Sequence, residues 1–243
     1  MLRALIAGLY AVFGVIFSMP AHWHFASLAK KDPKKAWLKS SQYVRGFFKN
    51  IMFLSGTKVD VRGLENLPDE NTGVLFLANH RSYFDIIILQ AVLGRPVGFV
   101  AKKELKKIPL FHYFMSDIGC VYLNRQSPRE AMKSIKEATD NLANGLNMTL
   151  FPEGTRNKGT DLLPFKEGGY RIAEKAKAPM VLVAMTGNDQ ILEANKGFTI
   201  KARHVTLEFS KPYYIADMTR EEQKEFYSQI PSKIADMLKT HAN

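Results

Sequence analysis

The sequence predicts an α/β fold: a mostly parallel central sheet flanked by helices, preceded by a separate apolar N-terminal segment. Three observations carry that expectation. Short apolar runs alternate with helical stretches from about Lys58 onward. Polar clusters follow directly after several of those runs, as they do where strands turn into helices. Ahead of this body, residues 4–19 form a 16-residue stretch without a charge.

Taken in order, that first stretch is rich in Leu, Ile, Val and Phe and follows Arg3. It is short for a full span, which needs about 20 apolar residues. A signal peptide is an alternative, but residues 20–23, Pro-Ala-His-Trp, offer no small-x-small cleavage site. Residues 34–54 then place Trp37, Val44, Phe47, Phe48, Ile51 and Leu54 at helical spacing. Lys35, Lys39, Gln42, Arg45 and Lys49 lie mostly between them. This is an amphipathic helix with an aromatic face and a cationic face. Packing against the body of the protein would also suit it. With two such segments adjacent, we expect a two-helix membrane anchor over residues 1–56 and an α/β domain over residues 57–243.

In the body, residues 59–61, 74–78, 97–101, 121–123, 148–151 and 180–185 read as strands. Residues 198–209 read as one or two more. Helices are expected over residues 86–93, 128–143 and 167–177, and over residues 219–239 with an interruption at Pro231. The helix from Pro128 has Ser127 as N-cap, Glu130 three residues on, and Asn144-Gly145 as its stop signal.

The chain is basic, with 34 Lys and Arg against 23 Asp and Glu, a net charge of +11. Such a surface suits nucleic acid, anionic lipid or anionic substrates. No nucleic-acid motif is present, and the aromatics sit in the N-terminal segment and the core pattern. The single cysteine, Cys120, excludes an internal disulfide framework and suits a reducing, cytosol-facing location. Its neighbours Ile118 and Val121 mark it as a buried strand residue.

Two clusters carry the chemistry. The first, Asn79-His80-Arg81-Ser82-Tyr83-Phe84-Asp85, follows the apolar run 73–78. On a straight helix, residues five apart lie about 140° from each other. His80 and Asp85 therefore meet only if the turn between them is non-helical. Asp85 would then fix the imidazole tautomer and leave the other nitrogen free to take a proton. The bland reading is a helix-capping aspartate beside a turn histidine. No G-x-S-x-G elbow is present for a covalent serine, and the other histidines form no metal-binding pattern. The second cluster, Phe151-Pro152-Glu153-Gly154-Thr155-Arg156, follows another strand. Arg156 has the forked geometry for phosphate. Gly154 and Gly159 have P-loop spacing, but Thr160 stands where the lysine belongs. Lys102 and Arg125 end two further strands. In a parallel sheet these ends share one edge, so His80, Lys102, Arg125, Glu153 and Arg156 would surround one site.

These blocks resemble the 1-acyl-glycerol-3-phosphate acyltransferases. The H-x4-D block is His80 to Asp85, and residues 119–125, Gly-Cys-Val-Tyr-Leu-Asn-Arg, are similar to the second. F-P-E-G-T-R is complete over residues 151–156. Residues 178–183, Ala-Pro-Met-Val-Leu-Val, resemble the fourth less closely. The resemblance implies acyl transfer from acyl-CoA or acyl carrier protein to the 2-hydroxyl of lysophosphatidic acid. His80 would be the general base, oriented by Asp85. Lys102, Arg125, Glu153, Gly154, Thr155 and Arg156 would bind substrate. No metal or prosthetic group is required, and no nucleic acid. A monomer at the cytoplasmic face of the cell membrane is expected. A thioesterase and a non-catalytic lipid-binding protein are the rival classes.

Overall fold

The computed structural model describes residues 2–108 and 110–241. Seven strands form one sheet: β1 (Lys58–Arg62), β2 (Leu75–Ala78), β3 (Val97–Lys102), β4 (Val121–Leu123), β5 (Asn147–Leu150), β6 (Met180–Thr186) and β7 (His204–Phe209). Their order is β1-β7-β6-β2-β5-β3-β4. Strands β2 to β6 run parallel; β7 pairs antiparallel with β6, and β1 pairs parallel with β7. The mostly parallel sheet is thus present, with a reversed pair at one end.

Strand alternation divides the core into two layers. Phe76 and Ala78 of β2, with Val181, Val183 and Met185 of β6, face one side. Leu75 and Leu77, with Met180 and Leu182, face the other. Helices α3 (Pro33–Ser55), α4 (Phe84–Leu93) and α5 (Phe111–Asp117) cover the first side through Val44, Ile51, Ile88, Leu89, Phe114 and Met115. Helices α6 (Pro128–Ala143), α7 (Arg171–Ala176) and α8 (Arg220–Thr240) cover the second through Leu142, Ile172, Phe226, Ile230 and Ile234. Cys120 is buried just before β4, and burial pushes its thiol up to about 12.

The N-terminal segment differs from expectation. It holds three helices: α1 (Leu2–Phe17), α2 (Met19–Ala29) and α3. Pro20 sits in the first turn of α2, and the chain bends by 49° between α1 and α2. No single helix among the described residues is long and apolar enough to cross a membrane. Together α1 and α2 reach that length and composition across the bend. α3 belongs to the body on its inner face, because Val44 and Ile51 share the core with α4. Its outer face still exposes Leu38, Tyr43 and Phe53.

Three further differences have local causes. α5 is too short to show a helical period in sequence. Of the late region 198–209, only β7 is a strand. α8 runs without interruption through Pro231. A proline inside a helix costs about 3 kcal/mol. Buried Phe226 and Ile230 before it and Ile234 after it offset that by packing on the sheet.

Candidate active site

The C-terminal ends of β2 to β6 share one edge of the sheet, and both sequence clusters lie there. After β2 the chain stays non-helical through residues 79–82 before α4 begins at Phe84. That turn brings His80 back onto Asp85, with Nδ1 to Oδ2 at 2.8 Å. The helical-wheel objection therefore disappears. Asn79, fully buried, splints the turn to β6: its amide donates to the Met185 carbonyl at 2.9 Å and accepts from the Met185 N–H at 2.8 Å.

Asp85 is fully buried, and its charge is held by four donors. Oδ2 accepts from His80 Nδ1, from the Arg81 N–H at 2.8 Å and from the Ser82 N–H at 3.0 Å. Oδ1 accepts from the side-chain amide of Asn188. A buried carboxylate needs such partners to stay ionised. Because an ionised carboxylate only accepts, the proton shared with His80 sits on Nδ1. Nε2 is then left without a partner among the described residues, on a ring 16% exposed. The ring stacks on Phe151, centroids 4.1 Å apart and planes inclined 20°. Phe151 is the first residue of the second cluster, so that cluster also supports the imidazole plane.

Glu153 is placed differently from a substrate contact. Its buried carboxylate accepts from the His80 N–H at 2.7 Å, the Leu163 N–H at 3.0 Å and the Asn157 amide at 2.9 Å. It ties the turn after β2 to the loop after β5. The Asn157 N–H adds a bond to the His80 carbonyl at 2.7 Å. The Asn157 amide also donates to the Asp161 carbonyl, so the loop after β5 closes on the same carboxylate.

The cations form the outer part of the site. Gly154 adopts φ +73°, where a side chain is strained, and its carbonyl accepts from Arg125 Nη1 at 2.7 Å. A Cβ there would stand 2.6 Å from that nitrogen. The glycine thus lets Arg125 lie across the backbone. Arg156 stacks on Tyr83, its guanidinium carbon 3.6 Å from the ring centroid, and donates to the Tyr83 hydroxyl at 3.0 Å. Its Nη1 also pairs with Glu193 at 3.2 Å. Lys102 ends β3 on the same edge, mostly exposed, with only a 3.8 Å approach to Glu104. Thr155 is exposed between the two arginine contacts.

All the sequence-derived candidates thus lie at the C-terminal edge. Sequence reasoning passed over Asn79, Tyr83, Asn157, Asn188 and Glu193. Gly187-Asn188 follows the apolar run of β6, so the strand-end logic that located Arg125 would have flagged it. Among the described residues, no three His, Cys, Asp or Glu side chains gather to hold a metal.

The arrangement defines an α/β protein with a histidine equipped for proton abstraction beside an arginine-rich rim. A profile of the Acyltransferase family matches residues 58–186. A Helicobacter pylori protein named 1-acyl-sn-glycerol-3-phosphate acyltransferase is 34% identical over 67% of this chain and 73% of its own length. A chloroplast protein of the same name from Brassica napus is 30% identical over 86% of this chain. The alignment spans only 59% of that plant protein's length. The crystal structure of the 1-acyl-sn-glycerophosphate (LPA) acyltransferase PlsC from Thermotoga maritima superposes with a TM-score of 0.78. It shares 27% identity and covers 98% of this chain and 95% of that one. The chain belongs to the acyltransferase family.

Proposed function

We propose that this protein is a 1-acylglycerol-3-phosphate O-acyltransferase that moves a fatty acyl group from a thioester to the 2-hydroxyl of lysophosphatidic acid. The observation that carries the reading is the His80–Asp85 pair, its second ring nitrogen without a partner among the described residues, on the sheet edge that also carries Arg125 and Arg156. In the reaction, His80 Nε2 takes the proton of the acceptor hydroxyl as that oxygen attacks the thioester carbonyl carbon. Asp85 holds the tautomer and stabilises the imidazolium. The tetrahedral intermediate collapses by breaking the C–S bond, and the departing thiolate takes the proton from His80. General-base catalysis of this kind supplies about 10²–10⁴-fold. Phosphatidic acid and a free thiol, of CoA or of acyl carrier protein, are the products. The electrons and protons balance without a metal or prosthetic group.

Arg125 and Arg156 hold the acceptor phosphate, with Lys102 adding charge at the rim. Thr155 offers a hydroxyl there, and Gly154 keeps the backbone open. Glu153 serves the site by fixing the His80 backbone. The exposed residues Leu5, Leu9, Phe13, Phe17 and Trp23 of α1 and α2 enter one leaflet at the cytoplasmic face. Cations on α3 near an anionic surface add about 1 kcal/mol each. The acceptor thus reaches the site from the membrane without leaving it.

The test is a panel. Purified protein is assayed with lysophosphatidic acid, glycerol-3-phosphate and lysophosphatidylcholine, each with acyl-CoA and with acyl carrier protein. Transfer to lysophosphatidic acid above the other two acceptors is expected. Thioester hydrolysis that ignores all acceptors would reverse the reading in favour of a thioesterase.

A further inference from the structure

Motifs account for the ends of β2 to β5 but assign nothing to the end of β6. The chain leaving β6 nevertheless enters the site twice within six residues. Gly187, at φ +85°, turns the chain so that Asn188 is fully buried against Asp85. The Asn188 amide is the donor on Asp85 Oδ1, while Oδ2 serves His80 and the turn. Without it, the carboxylate loses a partner on the oxygen that faces away from the histidine. The Asn188 carbonyl oxygen, buried, finds no partner among the described residues. An orphaned buried acceptor costs about 1–3 kcal/mol. An apolar side chain would fill that space without the cost, so the bond to Asp85 is what an amide adds there.

Glu193 enters at the other half of the site. Its carboxylate accepts from the Ser82 hydroxyl at 2.6 Å and the Tyr83 N–H at 2.8 Å, and it meets Arg156 Nη1 at 3.2 Å. Arg156 is thereby clamped between Glu193 and the ring and hydroxyl of Tyr83. A guanidinium held at fixed reach binds an anion with less loss of side-chain freedom.

We propose that Asn188 and Glu193 are two positioning residues carried on one loop, Asn188 for the proton-abstracting pair and Glu193 for the phosphate-binding arginine. The inference rests on the function proposed above. It predicts that two neighbours on one loop have different kinetic signatures. Asn188 acts on the chemical step, and Glu193 on recognition of the acceptor phosphate.

The experiment measures kcat and acceptor KM separately, on the full chain in detergent micelles, with 1-acylglycerol-3-phosphate and an acyl thioester. Asn188→Ala is expected to lower kcat about 10–100-fold, the usual cost of removing an orienting partner, with acceptor KM nearly unchanged. Glu193→Ala is expected to raise acceptor KM about 10-fold with a smaller change in kcat. Glu193→Gln keeps acceptors for the Tyr83 N–H and Arg156 and should recover most of that loss. Wild-type kcat in Asn188→Ala overturns the proposal. So does the same mixed defect in Asn188→Ala and Glu193→Ala, the mark of a loop that only supports the fold. If Asn188→Ala does not purify folded, Asn188→Leu gives the same reading, since it keeps the volume, lacks the amide donor and adds no charge beside Asp85. His80→Ala and Arg156→Ala run alongside. Full activity in His80→Ala overturns the underlying reading and this inference with it. An inactive His80→Ala beside an unaffected Asn188→Ala overturns the inference alone.

Discussion

Among the described residues, two His–Asp pairs meet at nearly the same distance in different surroundings. His80 Nδ1 lies 2.8 Å from Asp85, and His22 Nδ1 lies 2.9 Å from Asp117. Both histidines are about equally buried, 16% and 14% exposed, so exposure does not separate them. The surroundings of the carboxylate do. Asp85 receives two backbone N–H groups and an amide besides the imidazole. The Asp117 side chain has His22 alone, at 2.9 and 3.0 Å to its two oxygens, among the described residues. Burial there outweighs the histidine and pushes the carboxyl up to about 6. The placement of the ring differs as well. Both rings are packed on an aromatic, His80 on Phe151 at 4.1 Å and His22 on Tyr113 at 4.3 Å, but only His80 stands at the sheet edge that carries Arg125 and Arg156. The first pair is the one proposed above for proton transfer; the second staples α2 to the end of α5. A histidine and an aspartate in contact are not a site until the carboxylate is supplied with donors and the second nitrogen has somewhere to act.

That contrast breaks most visibly at His80. His80→Ala should lower transfer by about 10³-fold or more while circular dichroism and vesicle sedimentation stay as in the wild type. His22→Ala, assayed identically, should stay within about twofold, because a staple costs stability rather than rate. Next in size is Asp85→Asn, expected to lower kcat about 10²–10³-fold by disturbing the tautomer. A near-normal rate there would reduce Asp85 to the helix cap that the sequence also permitted. Arg156→Ala should weaken use of the phosphate-bearing acceptor about 10–100-fold, the worth of a charge-assisted bond. Acceptors without phosphate should be spared, and equal loss on both would argue against a phosphate role.

The smallest effect sharpens the comparison from the side of the staple. An unfolded chain gives up the Asp117 proton near the ordinary value of 3.8, while the folded chain holds it to about 6. The folded state therefore binds more protons in that interval. Its contribution to stability is fully present below the ordinary value and is lost as pH rises through about 6. Thermal unfolding across the acidic range should show that slope, and Asp117→Asn should flatten it. An unchanged slope in the variant would assign the titration to another group.

Much of this was legible in the sequence because the parallel strands announce themselves. Runs such as 74–78 and 180–185 are apolar at every position, as strands covered on both faces must be. Strand-end logic then placed His80, Arg125 and Arg156 on one edge without knowledge of the strand order. What escaped notice depended on contacts distant in sequence. Glu153 read as a substrate ligand because nothing local shows that its carboxylate turns back to the His80 N–H. Strand-end logic marks Asn188 as a candidate, but its role and that of Glu193 are not legible, because their partners lie about a hundred residues away in the chain. The reversed strand β7 escaped for the same reason, since pattern alone does not give strand direction. At Pro231 a sound local rule gave way to tertiary packing.

The reversal at β7 has a consequence for how such a site can vary. A parallel neighbour of β6 would have sent the chain through a crossover to the far end of the sheet. The antiparallel pairing instead makes the β6–β7 connection a hairpin that begins and ends over the chemistry. Its ends are fixed by Thr186 against Thr206, while residues 187–203 between the two strands belong to no regular strand or α-helix. Ile191 anchors that span in the core with Leu192 and Ile200 packed against it, and the remaining positions are free to vary without touching a core residue of either strand. A library that randomises it outside Gly187, Asn188, Ile191, Leu192, Glu193 and Ile200 would explore acceptor preference on an unaltered scaffold.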